Sequence, residues 1–296
     1  MTRRVRIAAA QWPIERVASL AAWRTKLDQW MARAAAERTQ LAVVPEYASM
    51  ELTALLPDDV RADLRAQLHA MQPMLAPYRE AYAAAARRHG MTIVAGSFPE
   101  QVGDSFINRA RVFGAGGAEV VVDKLQLTRF EVEDWDVSPG AGQIVIETDW
   151  GRFGVAICYD SEFPLIARRL REAGAELLVV PSCTEATAGY FRVRVGCQAR
   201  ALENQFAVVQ APTVGDAPWS PAVDTNVGAA AVYVPPDRGM PDDGILAIGQ
   251  RNVASWLHAE LDLDGIAAVR EVGAVRVDHD WQLPGHLIGD VRRATL

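Results

Sequence analysis

Short apolar runs alternate with longer stretches of helical periodicity along most of the chain. Val5–Ala10 is a continuous apolar run, as expected of a strand buried on both faces. From about Val17 to Ala36, Leu20, Trp23, Leu27, Trp30 and Met31 recur at helical spacing and predict an amphipathic helix. Leu41–Val44 reads as a second buried strand, stopped by Pro45 and Glu46. Asp58–His89 reads as helix, interrupted around Pro73 and Pro77, and Met91–Ser97 as strand. Phe106–Phe113 and Glu119–Lys124 form a hairpin pattern around Gly114–Gly117, and Gly142–Thr148 with Arg152–Cys158 a similar pair around Asp149–Gly151. Then come a helix over Glu162–Ala173, a strand over Glu176–Val180 and a helix over Phe191–Asn204. Phe206–Gln210, Gly228–Val234 and Leu257–Asp262 read as strands, and Gly215–Thr225, rich in Pro, Gly and Asp, as a loop.

Strands alternating with helices, with hairpins mixed in, predict an α/β sandwich with mixed sheets rather than a purely parallel one. No linker or internal repeat divides the chain. The expectation is a single domain over 1–280 and an irregular C-terminal tail over 281–296.

Half of the residues are apolar and 23% are charged, the balance of an ordinary soluble protein. A net charge of -7 argues against nucleic acid as a partner, because polyphosphate attracts basic surfaces. No apolar stretch approaches the length needed to span a membrane. The basic N-terminus meets Gln11 and Pro13 too early for a signal peptide, so none is expected. Three cysteines, Cys158, Cys183 and Cys197, fit a reducing compartment without a disulfide framework, and a cytoplasmic location is expected.

Three segments share one design, in which a buried strand runs out into a polar residue. They end at Glu46 (Leu41–Glu46), Lys124 (Val120–Lys124) and Cys158 (Gly154–Cys158). In α/β folds the crevice beyond the strand ends is the usual ligand site. If these ends meet, a carboxylate, an ammonium and a thiol converge, a set sufficient for acyl transfer. Cys158 on a strand-to-helix turn would have backbone N–H groups able to receive an oxyanion; the bland alternative is a buried structural cysteine. Glu46 after four apolar residues would be desolvated into a usable base, or else form a rim ion pair. Lys124 would stabilise negative charge, or else be a solvated edge residue. Cys183 and Cys197 are read as structural cysteines, with Cys183, at the end of another such strand, also a candidate pocket residue.

Taken together these phrases resemble the nitrilase superfamily, the carbon–nitrogen hydrolases. The resemblance rests on Val44-Pro45-Glu46-Tyr47, on Asp123-Lys124-Leu125-Gln126-Leu127 and on Val155–Pro164 around Cys158-Tyr159-Asp160. Ile7–Gln11, Ser138-Pro139-Gly140, Gly151–Gly154 and Arg200–Asn204 extend it over roughly Arg6 to Val234. Gln126 departs from the histidine common at that place in the family. The resemblance implies a four-layer α-β-β-α sandwich and homodimers or larger assemblies built through the helices after the cysteine. It further implies a Glu46-Lys124-Cys158 triad, with no metal or organic cofactor. It also implies a second pocket glutamate, for which Glu131 and Glu133 are the candidates; counting back from Pro139 favours Glu133, with Glu131 as a substrate-side residue. Tyr159 would supply an oxyanion N–H, and Thr184, Glu185 and Cys183 would line the pocket, with Glu185 either meeting a cationic substrate group or capping the next helix. Trp135 and Trp219 are read as core or surface packing, with the pocket as the alternative for each.

The expected activity is hydrolysis of a small-molecule amide through a cysteine thioester. N-carbamoyl compounds, nitriles and acyl transfer to an amine are alternatives within that class, and a non-catalytic binding or assembly relative is one outside it. A papain-like enzyme needs a histidine base, yet none of His69, His89, His258, His279 or His286 lies in a strand-end phrase. A zinc enzyme is disfavoured by the lack of any close His pair or CxxC, and Gly114–Gly117 lacks the Lys-Ser/Thr of a phosphate loop.

Overall fold

The alternation along the first strand, β1 (Arg4–Pro13), sets the layering. Val5, Ile7 and Ala9 face one apolar core, while Ala8, Ala10 and Trp12 face another. Both sides of this strand are therefore covered, which is why it reads as an unbroken apolar run. The computed structural model describes residues 2–282 and 289–295.

The chain continues through α1 (Leu20–Ala36), β2 (Leu41–Val44), a 3-10 segment at Ala48–Leu55, α2 (Asp58–Ala62), α3 (Leu64–Met71) and α4 (Leu75–His89). Next come β3 (Thr92–Val102), β4 (Ser105–Phe113), β5 (Glu119–Asp123) and the two-residue strands β6 (Val137–Ser138) and β7 (Ile146–Glu147). Then follow β8 (Arg152–Val155), α5 (Pro164–Glu172), β9 (Leu177–Ser182), α6 (Thr187–Asn204) and β10 (Ala207–Asp216). The last part holds β11 (Thr225–Asn226), β12 (Ala231–Tyr233), β13 (Ile245–Ile248), β14 (Ser255–Asp262), α7 (Leu263–Val272) and α8 (Val277–Asp280).

One mixed sheet runs β5-β4-β3-β2-β1-β14 and the other β13-β12-β10-β9-β8-β7. They join where Trp12 and Pro13 of β1 pair in parallel with Thr213 and Val214 of β10. Helix α1 starts at Ser19, whose hydroxyl accepts from the N–H of Ala22 at 3.1 Å, satisfying an orphan donor of the first turn. It buries Trp23, Leu27, Trp30 and Met31 with Tyr78 and Tyr82 of α4 on the outer face of the first sheet. On the second sheet α5 and α6 contribute Ile166, Leu170, Val193 and Cys197. The result is the expected four-layer α-β-β-α arrangement.

Several details differ from the sequence expectation. The helical stretch before β3 breaks at Asp63 and at Gln72–Met74, but not at Pro77, which lies in the first turn of α4, where a missing N–H costs nothing. Strand β10 extends through Asp216 into the expected loop because Gly215 and Asp216 pair with Asn226 and Thr225. The expected strand over Gly142–Thr148 shrinks to Ile146–Glu147. Strand β13 and helix α7 were not foreseen; α7 is capped by Asp262, which accepts from Gly265 N–H at 2.8 Å. Of the expected C-terminal tail, 283–288 and 296 lie outside the described residues. Among the described residues no helix is long and apolar enough to cross a membrane.

Candidate active site

Strands β2, β5, β8 and β9 deliver Glu46, Lys124, Cys158 and Cys183 just beyond their C-terminal ends, and all four line one cavity of about 560 Å³. Its walls also carry Tyr47, Glu131, Tyr159, Thr184 and Glu185. The convergence expected from the strand-end pattern is therefore present in the fold.

Lys124 Nζ lies 2.8 Å from Glu46 Oε1 and 2.8 and 2.7 Å from the two oxygens of Glu131. All three side chains are at most 2% exposed. Asn108 Nδ2 donates to Glu46 at 2.9 Å and to Glu131 at 3.1 Å. Glu131 also accepts from the Tyr47 hydroxyl at 2.6 Å and from both the N–H and the hydroxyl of Thr128 at 2.9 Å. The second oxygen of Glu46 accepts the Cys183 N–H at 3.0 Å, and the Cys158 thiol faces the Cys183 carbonyl oxygen at 3.6 Å. The peptide of residue 183 thus bridges the carboxylate and the thiol.

This arrangement separates two carboxylates that share one lysine. For Glu46, burial raises the pKa, Lys124 opposes and the charge of Glu131 adds; the net shift is upward. For Glu131, burial also pushes upward, but Lys124, Tyr47 and the Thr128 N–H outweigh it and hold the carboxyl below its usual range. Burial works against the charge of Lys124, yet its two carboxylate partners keep it well above an ordinary lysine and hence cationic. Burial and the charge of Glu46 push the Cys158 thiol well up, against the pull of Lys124. Glu131 is thus held as an anion, whereas burial lifts both the Glu46 carboxyl and the Cys158 thiol.

Cys158 has φ +48°, in the left-handed region, which costs a non-glycine residue about 1–3 kcal/mol. It opens a 3-10 turn, Cys158–Glu162, that leads into α5. Gly96 is the counterpart on the Glu46 side. Its φ is +72°, and a Cβ there would lie 2.1 Å from the carbonyl oxygen of Pro45.

Glu133 does not reach the site. Its carboxylate is half exposed and pairs with Arg129 at 2.7 and 2.9 Å, while Glu131 turns inward to Lys124. The reason is a single π-helical turn over Phe130–Asp134, which shifts the register that counting back from Pro139 assumes. Glu185 is exposed at the cavity wall, and the Thr184 hydroxyl donates to Val227 O at 2.7 Å. Trp135 is fully buried against Tyr47 and Phe130, and neither it nor Trp219 is among the cavity-lining residues. Asn108, Tyr47 and Thr128 were not singled out from sequence. Asn108 carried a signal: it shares a face of β4 with Phe106, Ala110 and Val112, and a buried amide on an apolar face marks a polar site. Among the described residues no group of three or more His, Cys, Asp or Glu is placed to hold a metal ion.

A family model described as carbon-nitrogen hydrolase matches residues 6–269. The probable hydrolase YhcX of Bacillus subtilis is 31% identical over 277 residues, covering 92% of this chain and 52% of that protein. Omega-amidase NIT2 of Danio rerio is 30% identical over 199 residues, covering 63% of this chain and 66% of that protein. The chain thus spans about half the length of the first relative and two thirds of the second. The C. elegans NitFhit protein shares the fold, with a TM-score of 0.74 at 24% identity over 91% of this chain and 63% of that one.

Proposed function

From the premise that the chain belongs to the carbon–nitrogen hydrolases, we propose that it hydrolyses small-molecule amides through a thioester on Cys158. The observation that carries this reading is the peptide of residue 183, whose N–H holds Glu46 and whose carbonyl faces the Cys158 thiol at the floor of one cavity. The omega-amidase name of the Danio rerio relative points the same way.

Glu46 takes the thiol proton as Cys158 Sγ attacks the amide carbon. Burial raises both the carboxyl and the thiol, so Cys158 is no standing thiolate and its proton is transferred to Glu46 as the bond to carbon forms. Lys124 and the backbone N–H of Tyr159 receive the developing oxyanion in a site where water is largely excluded. Glu46 then hands its proton to the departing ammonia or amine, leaving the acyl group on sulfur. A water deprotonated by Glu46 attacks the thioester, releasing the carboxylic acid and returning the proton to Cys158. Glu131 keeps Lys124 charged throughout.

The protein works as a homodimer or larger assembly through α5 and α6, on which Leu165, Phe191, Val195 and Leu202 expose apolar side chains. A panel of primary amides, N-carbamoyl amino acids and nitriles, read by ammonia release, tests the activity. Turnover of amides above the other two classes, abolished in Cys158→Ala, is the expected result; amide turnover undiminished in that variant would sink the scheme.

A further inference from the structure

We propose that Asp160 is a positioning residue that locks the turn carrying Cys158 to the strand end carrying Lys124. Lys124 touches Glu46 and Glu131 directly. The Cys158 thiol, by contrast, faces the Cys183 carbonyl, and that peptide links it to Glu46. Asp160 supplies a second connection, made to the backbone on both sides. Its Oδ1 accepts the N–H of Gln126 at 2.7 Å and that of Leu125 at 3.2 Å; its Oδ2 accepts the N–H of Leu125 at 3.3 Å and that of Ile157 at 3.2 Å. These are the two residues after the lysine and the one before the cysteine. Among the described residues, no other side chain accepts backbone N–H groups from both segments.

The carboxylate is 2% exposed and forms no ion pair among the described residues. Its charge is held by peptide N–H groups, and the positive charge of Lys124 adds to that hold. Burial pushes its pKa up to about 6 against those bonds, so the acid is retained at a cost that an amide would avoid. The turn is braced from behind as well. Ser161 Oγ donates to Cys158 O at 2.6 Å, Arg200 reaches Ser161 O at 3.2 Å, and a Cβ on Gly196 of α6 would stand 3.0 Å from that same oxygen. The turn is thus pressed forward by α6 and held in register by Asp160. Lys124 can serve the oxyanion only if its spacing to Cys158 is kept, and a misplacement of about 1 Å is enough to cost roughly a hundredfold in rate.

Asp160→Asn tests this with almost no change in shape. An asparagine offers one acceptor oxygen, so either Ile157 or Gln126 faces an N–H donor instead of an acceptor, and one link breaks. The inference rests on the amide-hydrolase reading, so two measurements are made on the full chain. With a primary amide that the wild type turns over, the expected result is a kcat lowered about tenfold to a hundredfold per alkylatable active site, with KM within about threefold. With iodoacetamide, which needs no turnover, alkylation of Cys158 mapped by mass spectrometry should slow by a similar factor. A variant with kcat and alkylation rate within twofold of wild type overturns the proposal. So does one that loses activity only in proportion to its folded fraction. If the wild type hydrolyses no amide, the proposed function fails, and the alkylation arm alone decides the role of Asp160.

Discussion

Replacing Lys124 with methionine removes the single positive charge between two buried carboxylates. In the wild type its ammonium lies within 2.8 Å of Glu46 and of both Glu131 oxygens, with all three side chains at most 2% exposed. Breaking a buried ion pair from one side typically costs about 3–5 kcal/mol, because the remaining charge is left without compensation. At roughly 2–3 °C per kcal/mol for a chain of this size, Tm should fall by about 6–15 °C at pH 8. The sign of the pH dependence follows from linkage. Without the cation, the folded-state pKa of the Glu46–Glu131 pair rises above its unfolded value. The folded protein then binds more protons, so the deficit is small at low pH and grows as pH rises through the folded pKa. Circular-dichroism melts of wild type, Lys124→Met and Lys124→Met/Glu131→Gln at pH 8 and pH 5 measure this. The single variant should recover at least half of its Tm loss at pH 5, and the double variant should recover part of it at pH 8. Equal losses at both pH values, with no recovery in the double variant, would refute the electrostatic account.

Other consequences can be checked separately. Glu131→Gln removes the anion that raises Glu46 and holds Lys124, so kcat should fall at least tenfold, about 1.4 kcal/mol of barrier, whereas Glu133→Gln on the surface should stay within twofold; amide kinetics of both variants decide, and equal effects would contradict the assignment. Gly96→Ala combines φ +72° with a Cβ placed 2.1 Å from Pro45 O, so it should lower stability by at least about 1–3 kcal/mol and displace Glu46; a wild-type melting curve and kcat would contradict this. Activity should be lost as pH falls through about 6, where Asp160 takes up a proton and can no longer bind three N–H groups; protonation of Glu46, itself raised above an ordinary carboxylate, acts in the same direction. A kcat profile flat down to pH 5 would contradict that pairing of base and clamp.

Much of the site was legible because its chemistry sits where buried strands stop. Glu46, Lys124 and Cys158 each end an apolar run; parallel pairings run from β8 through β9, β10 and β1 to β2 and β3, and two antiparallel steps through β4 turn β5 the same way. The choice between Glu131 and Glu133 was not legible, since it depends on a π-helical turn closed by Trp135 N–H to Phe130 O at 3.0 Å, which no local pattern announces. Asn108 and Asp160 stand in segments that read correctly as strand and turn. Their partners, however, lie on other loops, and only the folded register shows that one bridges two glutamates and the other two peptide segments. Strand β13 alternates half-buried and exposed positions at a sheet edge, so its apolar signal is weak.

The central claim is that Cys158 takes the acyl group of an amide, and intact-protein mass spectrometry of an acid-quenched turnover mixture tests it most directly. The account predicts a mass increase equal to the acyl group, mapped to the peptide containing Cys158, sensitive to hydroxylamine and absent from Cys158→Ala. Amide turnover without any adduct on Cys158, or with the acyl group carried by another residue, would contradict it.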